Sequence, residues 1–208
     1  MWISVLVTIL VGYMLGNLNG AVCVSALMHD DVRSHGSGNA GLTNFIRNYG
    51  AGKALTVIAI DAGKAVLACV AGGLLLKDSM DFRTGAAIAG VAVMLGHIFP
   101  ALLGFRGGKG ILSGLFIAVV VDWRIALVIL AVFAVVYLTT RYVSMGSVLA
   151  AGAFVIGFLI LHRANLTVML CGVFMGLLTI FMHRANIARL LKGEERKTNL
   201  FGKGKKRN

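Results

Sequence analysis

Carboxylates and proline are scarce in this chain. Of its 208 residues, eight are Asp or Glu against twenty Lys or Arg, one is proline, and only 13% are charged. So few acids argue against a Mg-dependent nucleotide enzyme, which needs acidic metal ligands, and against a phosphotransferase built on a run of paired aspartates. Cys23, Cys69 and Cys171 lie inside apolar stretches without ligand spacing, so they read as small buried hydrophobes rather than a metal site. The opening Met1-Trp2-Ile3-Ser4 lacks the basic region of a cleavable signal peptide, and its apolar run outlasts a usual signal core.

What is abundant is apolar surface: 58% of residues are hydrophobic and the mean hydropathy is +0.88. A soluble domain of this size could not hide that much. The expectation is an all-α polytopic membrane protein, one integral-membrane domain over 1–208 with a basic tail at 183–208. Seven apolar segments stand out, near 2–27, 52–76, 84–102, 109–122, 124–139, 145–161 and 165–182. The stretch 102–124 admits a re-entrant element as an alternative to a clean crossing. With seven spans, fifteen of the twenty cations fall on the C-terminal side, four on the other, and Lys64 inside a span. That bias predicts an outside N-terminus and a cytoplasmic tail. The positive charge is thus read as topology and lipid-headgroup affinity, not as a nucleic-acid footprint. "HRAN" occurs twice, at His162–Asn165 and His183–Asn186, one membrane thickness apart, so only one copy can belong to a cytoplasmic site.

Three stretches carry chemistry. The first, "GSGNAGLTN" from Gly36, matches a dinucleotide fingerprint formally, but no strand precedes it. Its physical content is a glycine-rich nest of backbone N–H groups, with Ser37, Asn39, Thr43 and Asn44 as uncharged donors. Thr43 is expected to cap the following helix, and Arg47 stands four residues on, with a fork suited to phosphate. A flexible polar connector is the plainer alternative.

The second, "GHIFPALLGFRGGKG", is not a Walker loop, because Leu103 and Gly110 occupy required glycine and Ser/Thr places. Pro100 is expected to end a span, after which Gly107, Gly108 and Gly110 let the backbone approach an anion beside Lys109. The alternative is a turn with snorkelling cations. The third, "HRANIARLLKGEERK", puts His183 and Asn186 on one helical face and ends at Gly193; alone it could be a basic helix lying on the membrane. His97 reads as a packed, hydrogen-bonded histidine before it reads as a base. Asp61 and Lys64, three apart inside a span, form either an ion pair or a functional lining.

Taken with "RYVSMGS" and Asp31-Val32-Arg33, these three motifs in order resemble the bacterial acyl-phosphate:glycerol-3-phosphate acyltransferases, the PlsY family, over nearly the whole chain. One departure is "GNLNG" at 16–20, where a Ser-Ile-Pro turn is common. The His-x4-Asp signature of acyl-CoA-dependent relatives follows none of the five histidines. The resemblance implies transfer of a fatty acyl group from acyl phosphate to the sn-1 hydroxyl of glycerol 3-phosphate. It assigns Ser37, Gly38, Asn39, Gly41, Thr43 and Asn44 to the acyl-phosphate headgroup, and Arg47, Lys109, Ser144 and Ser147 to glycerol 3-phosphate. His183 and Asn186 stand near the reacting centre, with Gly107, Gly108, Gly110 and Glu195 in support. No metal and no cofactor are expected. Membrane lipids and the peripheral synthase that makes acyl phosphate are the implied partners, at the cytoplasmic face of the bacterial inner membrane. An organic-phosphate transporter is the rival reading.

Overall fold

A computed structural model describes residues 1–200; the tail cations Lys203, Lys205, Lys206 and Arg207 lie outside the described residues. Every regular element among those described is helical: α1 Trp2–Asn17, α2 Gly20–Ala26, α3 Leu42–Tyr49, α4 Ala54–Leu76, α5 Phe82–Ile98, α6 Ile111–Val121, α7 Trp123–Thr140, α8 Val143–Leu161, α9 Leu166–Met182 and α10 Arg184–Leu191, with 3-10 turns at Val32–Ser34 and Ala101–Leu103. Four are long and apolar enough to cross a bilayer: α4, α7, α8, and α5 carried on to Leu103. Two bent pairs are long and apolar enough when each is taken as one span, α1 with α2 at 41° and α9 with α10 at 53°. Leu6, Leu10 and Ile3 on α1 are more than 60% exposed, the surface a lipid tail covers.

The expected first segment, 2–27, is therefore not one rod. Asn19 breaks it, because its side chain accepts from Val22 N at 3.0 Å and so starts a new helix. The Asn19 amide also donates to Ala40 O at 3.0 Å, tying the break to the first glycine loop. Asn17 accepts from Leu102 N at 3.0 Å, tying it to the loop after Pro100. The unusual "GNLNG" thus joins two of the three motifs.

The fourth expected segment folds as α6, only 11 residues, or about 16 Å against a hydrocarbon core of about 30 Å. Its two ends face different parts of the molecule. Gly110, before α6, lines the same cavity as Ser144 at the start of α8. Asp122, after α6, meets His162 at the far end of α8, with Oδ2 and Nε2 3.1 Å apart. α6 thus runs from the cavity toward the far end of α8, covering part of the roughly 28 Å that the 19 residues of α8 span.

α5 is the central helix, packed against α1, α4, α6 and α9. Close approach is possible because its contact face is small: a Cβ on Gly96 would lie 2.2 Å from Tyr13 O, and one on Gly16 2.4 Å from Val93 O. Pro100 ends α5 as expected, and Tyr13 Oη donates to Phe99 O at 2.8 Å across the break. The far end is closed by side-chain caps: Asp81 for α5, Asp122 for α7 and Asn165 for α9. Asn165 also donates to Asp81 Oδ2 at 3.0 Å. The first "HRAN" copy lies in this end, away from the second.

Candidate active site

At the end opposite those caps, the three motifs converge on one cavity of about 290 Å³. Its first wall is the loop before α3. Asn44, 2% exposed, organises that loop: its Nδ2 donates to Val32 O, His35 O and Asn39 O at 2.9–3.0 Å, and its Oδ1 accepts from Ser37 N at 3.0 Å. Ser37, Asn39, Gly41 and Thr43 then line the cavity. The cap of α3 is Gly41, without a side-chain bond, so Thr43 does not cap it. Thr43 sits two residues past the cap, which leaves its hydroxyl for the cavity.

The second wall is the turn from Phe105 to Gly110. It folds back on the end of α5, where Gly108 N donates to His97 O at 3.0 Å. Gly110 enters α6 at φ +88°, a left-handed conformation that favours glycine. Lys109 is thereby aimed inward and donates to Asn186 Oδ1. Burial, then the nearby Arg189, push its pKa down to about 8.

The third wall is the α9–α10 bend and the segment after it. His183 Nδ1 is 2.8 Å from Thr179 O. A carbonyl only accepts, so Nδ1 carries the proton and Nε2 keeps its lone pair. Asn186 Nδ2 donates to Glu195 Oε1 at 2.9 Å, and Arg189 pairs with Glu195 Oε2 at 2.7 Å. Burial raises the Glu195 carboxyl, but the bonds from Asn186 and Arg189 outweigh it and hold the group below the usual range. Glu195 thus fixes which way the Asn186 amide points, and the oxygen left over faces Lys109. Gly193 takes φ +70° just past α10, the helix end expected of it.

Arg47 faces the cavity but its fork is already engaged: Nε donates to Thr198 Oγ1 at 2.8 Å and Nη2 to Arg196 O at 3.0 Å. Thr198 in turn bonds Arg141 and Tyr137 through its backbone, so this part of the tail straps across α3, α7 and the α7–α8 corner. Ser144 and Ser147, both buried on α8, complete the polar lining. Beyond them the cavity continues as an apolar groove between α6, α7 and α8, lined by Leu112, Leu115, Ile129, Leu130 and Phe133. Leu130 is half-exposed on the outer surface.

Of the sequence-predicted residues, eleven line this cavity: Ser37, Asn39, Gly41, Thr43, Asn44, Arg47, Lys109, Ser144, Ser147, His183 and Asn186, joined by Gly110 and Glu195 from the supporting set. Gly38, Gly107 and Gly108 shape the turns from behind. Asn44 differs from expectation, since its amide is committed to the loop. Sequence reading missed Thr198 and Arg189, which carry no spacing signal, and left Asp61 and His97 unassigned although both line the cavity. Asp61 and Lys64 do pair, at 2.8 Å.

A bundle of apolar helices around a cationic chamber that opens onto an apolar groove defines an integral membrane protein with a polar cavity inside it. Residues 6–193 match the family described as glycerol-3-phosphate acyltransferase. Curated glycerol-3-phosphate acyltransferases from Finegoldia magna and Thermoanaerobacter sp. are 37% and 38% identical, over 90% and 91% of this chain and 93% of each relative. The fold is similar to crystal structures of PlsY, an integral membrane glycerol 3-phosphate acyltransferase. The glycerol 3-phosphate form gives a TM-score of 0.83 at 32% identity, covering 94% of this chain and 96% of that one. The lysophosphatidic acid form gives 0.80 at 31%, covering 95% and 96%. The chain belongs to the glycerol-3-phosphate acyltransferase family and is a membrane-embedded acyltransferase.

Proposed function

We propose that the chain transfers a fatty acyl group from acyl phosphate to the sn-1 hydroxyl of glycerol 3-phosphate, giving 1-acyl-glycerol 3-phosphate and inorganic phosphate. The observation that carries this is one cavity lined by the polar loop before α3 on one side and by Arg47, Lys109, Ser144 and Ser147 on the other, above an apolar groove. The nest of Ser37, Gly38, Asn39, Gly41 and Thr43 takes the acyl-phosphate headgroup, with Asn44 holding it in shape. Arg47, Lys109, Ser144 and Ser147 take glycerol 3-phosphate, and the groove between α6, α7 and α8 takes the acyl chain.

The glycerol hydroxyl attacks the acyl carbonyl carbon, the new ester C–O bond forms, and the carbonyl carbon's bond to the phosphate oxygen breaks. Phosphate leaves with that electron pair. The hydroxyl proton goes to the departing phosphate or to His183 Nε2, whose lone pair the Thr179 bond leaves available. The donor is already activated, so the protein's work is positioning and charge stabilisation, without an acyl-enzyme. Lys109 and Asn186 act as a unit in that task, because one bonds the other.

In the membrane we place the N-terminus outside and the tail in the cytoplasm, with seven crossings of the bacterial inner membrane and the cavity at its cytoplasmic face. The cation bias supports that placement, and α6 leads from the cavity toward the far end. The acyl-phosphate synthase would dock on the same face to deliver its product. The rival reading is an organic-phosphate transporter. Proteoliposomes containing the chain, given labelled glycerol 3-phosphate and acyl phosphate, should form lysophosphatidate. Labelled glycerol 3-phosphate crossing unmodified, with no lysophosphatidate formed, defeats the proposal.

A further inference from the structure

Under the Lys109 turn lies a buried chain of ionisable groups with no part in the mechanism above. Lys64 Nζ sits 2.8 Å from Asp61 Oδ1 and 2.9 Å from His97 Nδ1. Its third N–H donates to Leu18 O at 2.6 Å, with Gly16 O a longer contact at 3.2 Å; both are carbonyls that the break between α1 and α2 releases. Asp61 Oδ1 accepts from Gly20 N at 3.1 Å across the same break. Asp61, Lys64 and His97 are each at most 4% exposed.

An ammonium only donates. His97 Nδ1 must therefore accept, and its proton must sit on Nε2. The Nε2 atom makes no hydrogen bond to the described residues, and His97 lines the cavity. The absent side chain of Gly108 leaves room at this atom: a Cβ there would lie 2.2 Å from Nε2. The ring is thus held between Lys64 on α4 and Gly108, at the base of the turn that carries Lys109.

We infer that Lys64 locks His97 as the Nε2–H tautomer, and that this fixed N–H is a further hydrogen-bond donor to a phosphate oxygen of the bound substrates. The inference rests on the proposed acyl transfer. Asp61 and Lys64 are positioning residues, acting on substrate only through the imidazole. A donor fixed before binding needs no reorganisation when the anion arrives.

Side-chain geometry supplies the test. The amide nitrogen of Gln overlays imidazole Nε2, whereas that of Asn overlays Nδ1 only. With purified protein, KM is measured for glycerol 3-phosphate at saturating acyl phosphate, and for acyl phosphate at saturating glycerol 3-phosphate. His97→Asn should raise one of the two by about ten- to a hundredfold, the loss of one bond to a charged acceptor. Which KM rises identifies the phosphate. His97→Gln should stay within about threefold of wild type. A His97→Asn enzyme with both KM values unchanged, or His97→Gln as impaired as His97→Asn, overturns the donor role. Wild-type protein carrying 15N-imidazole labels, assigned by replacing the other histidines singly, gives a reading that needs no folded His97 variant. The His97 signals should show an Nε2–H tautomer and shift on adding glycerol 3-phosphate or a non-hydrolysable acyl phosphate analogue. An Nδ1–H tautomer, or no shift with either ligand, overturns the inference. If wild-type protein makes no lysophosphatidate at all, it is the acyl-transfer reading that falls instead.

Discussion

Gly107→Ala is the sharpest single perturbation of the Lys109 turn. A methyl group there would lie 2.0 Å from His97 O and 2.7 Å from Ile98 O, both backbone atoms at the end of a buried helix. Ordinary contact begins at 3.4 Å, so something must move by more than 1 Å. α5 is packed on four sides and cannot give, so the turn moves, and Lys109 with it. A 1 Å misplacement of a positioning group costs about a hundredfold, and the loss should fall mainly on kcat/KM for glycerol 3-phosphate. The assay is lysophosphatidate formation by purified protein, with thermal unfolding in detergent as a control on the fold. A folded Gly107→Ala enzyme within threefold of wild type would refute the claim that the turn is built on His97 to aim Lys109.

Other expectations follow from the same cavity. Lys109 is charged below about pH 8 in the free protein, so kcat/KM for glycerol 3-phosphate should decline above that pH, and Lys109→Arg should extend the plateau upward; a profile flat to pH 10 in wild type contradicts it. Asn186→Ala and His183→Ala should lose rate by a hundredfold or more, whereas near-normal turnover in His183→Gln would remove His183 as the base and leave the departing phosphate in that role. Glu195→Gln replaces a buried, paired carboxylate and should lower stability by about 2 kcal/mol, read as a reduced unfolding temperature. Because the Glu195 pKa is depressed on folding, its contribution is present above its unfolded value and fades as pH falls below about 4.5.

The helical membrane fold was legible because apolar segments of bilayer length are hard to explain otherwise, and Pro100 and Gly193 mark ends where physics requires them. The break at Asn19 was not, since an asparagine in an apolar run signals a cap only once its partner Val22 N is seen. α6 was ambiguous because length and hydropathy do not say where its two ends lie; the Asp122–His162 contact places its C-terminal end at the far side. In the site, residue type and order revealed which stretches bear phosphate chemistry. They could not divide labour within a stretch: Asn44 and Thr43 are neighbours of similar polarity that both line the cavity, yet the Asn44 amide is committed to holding the loop. Contacts between distant parts of the chain, such as Arg47 with Thr198 and Lys64 with His97, have no local signature at all.

The central claim is the nature of the donor. Purified protein with glycerol 3-phosphate should consume acyl phosphate and release one phosphate per lysophosphatidate formed, and should do nothing with acyl-CoA. Turnover with acyl-CoA, or none with acyl phosphate, would contradict it.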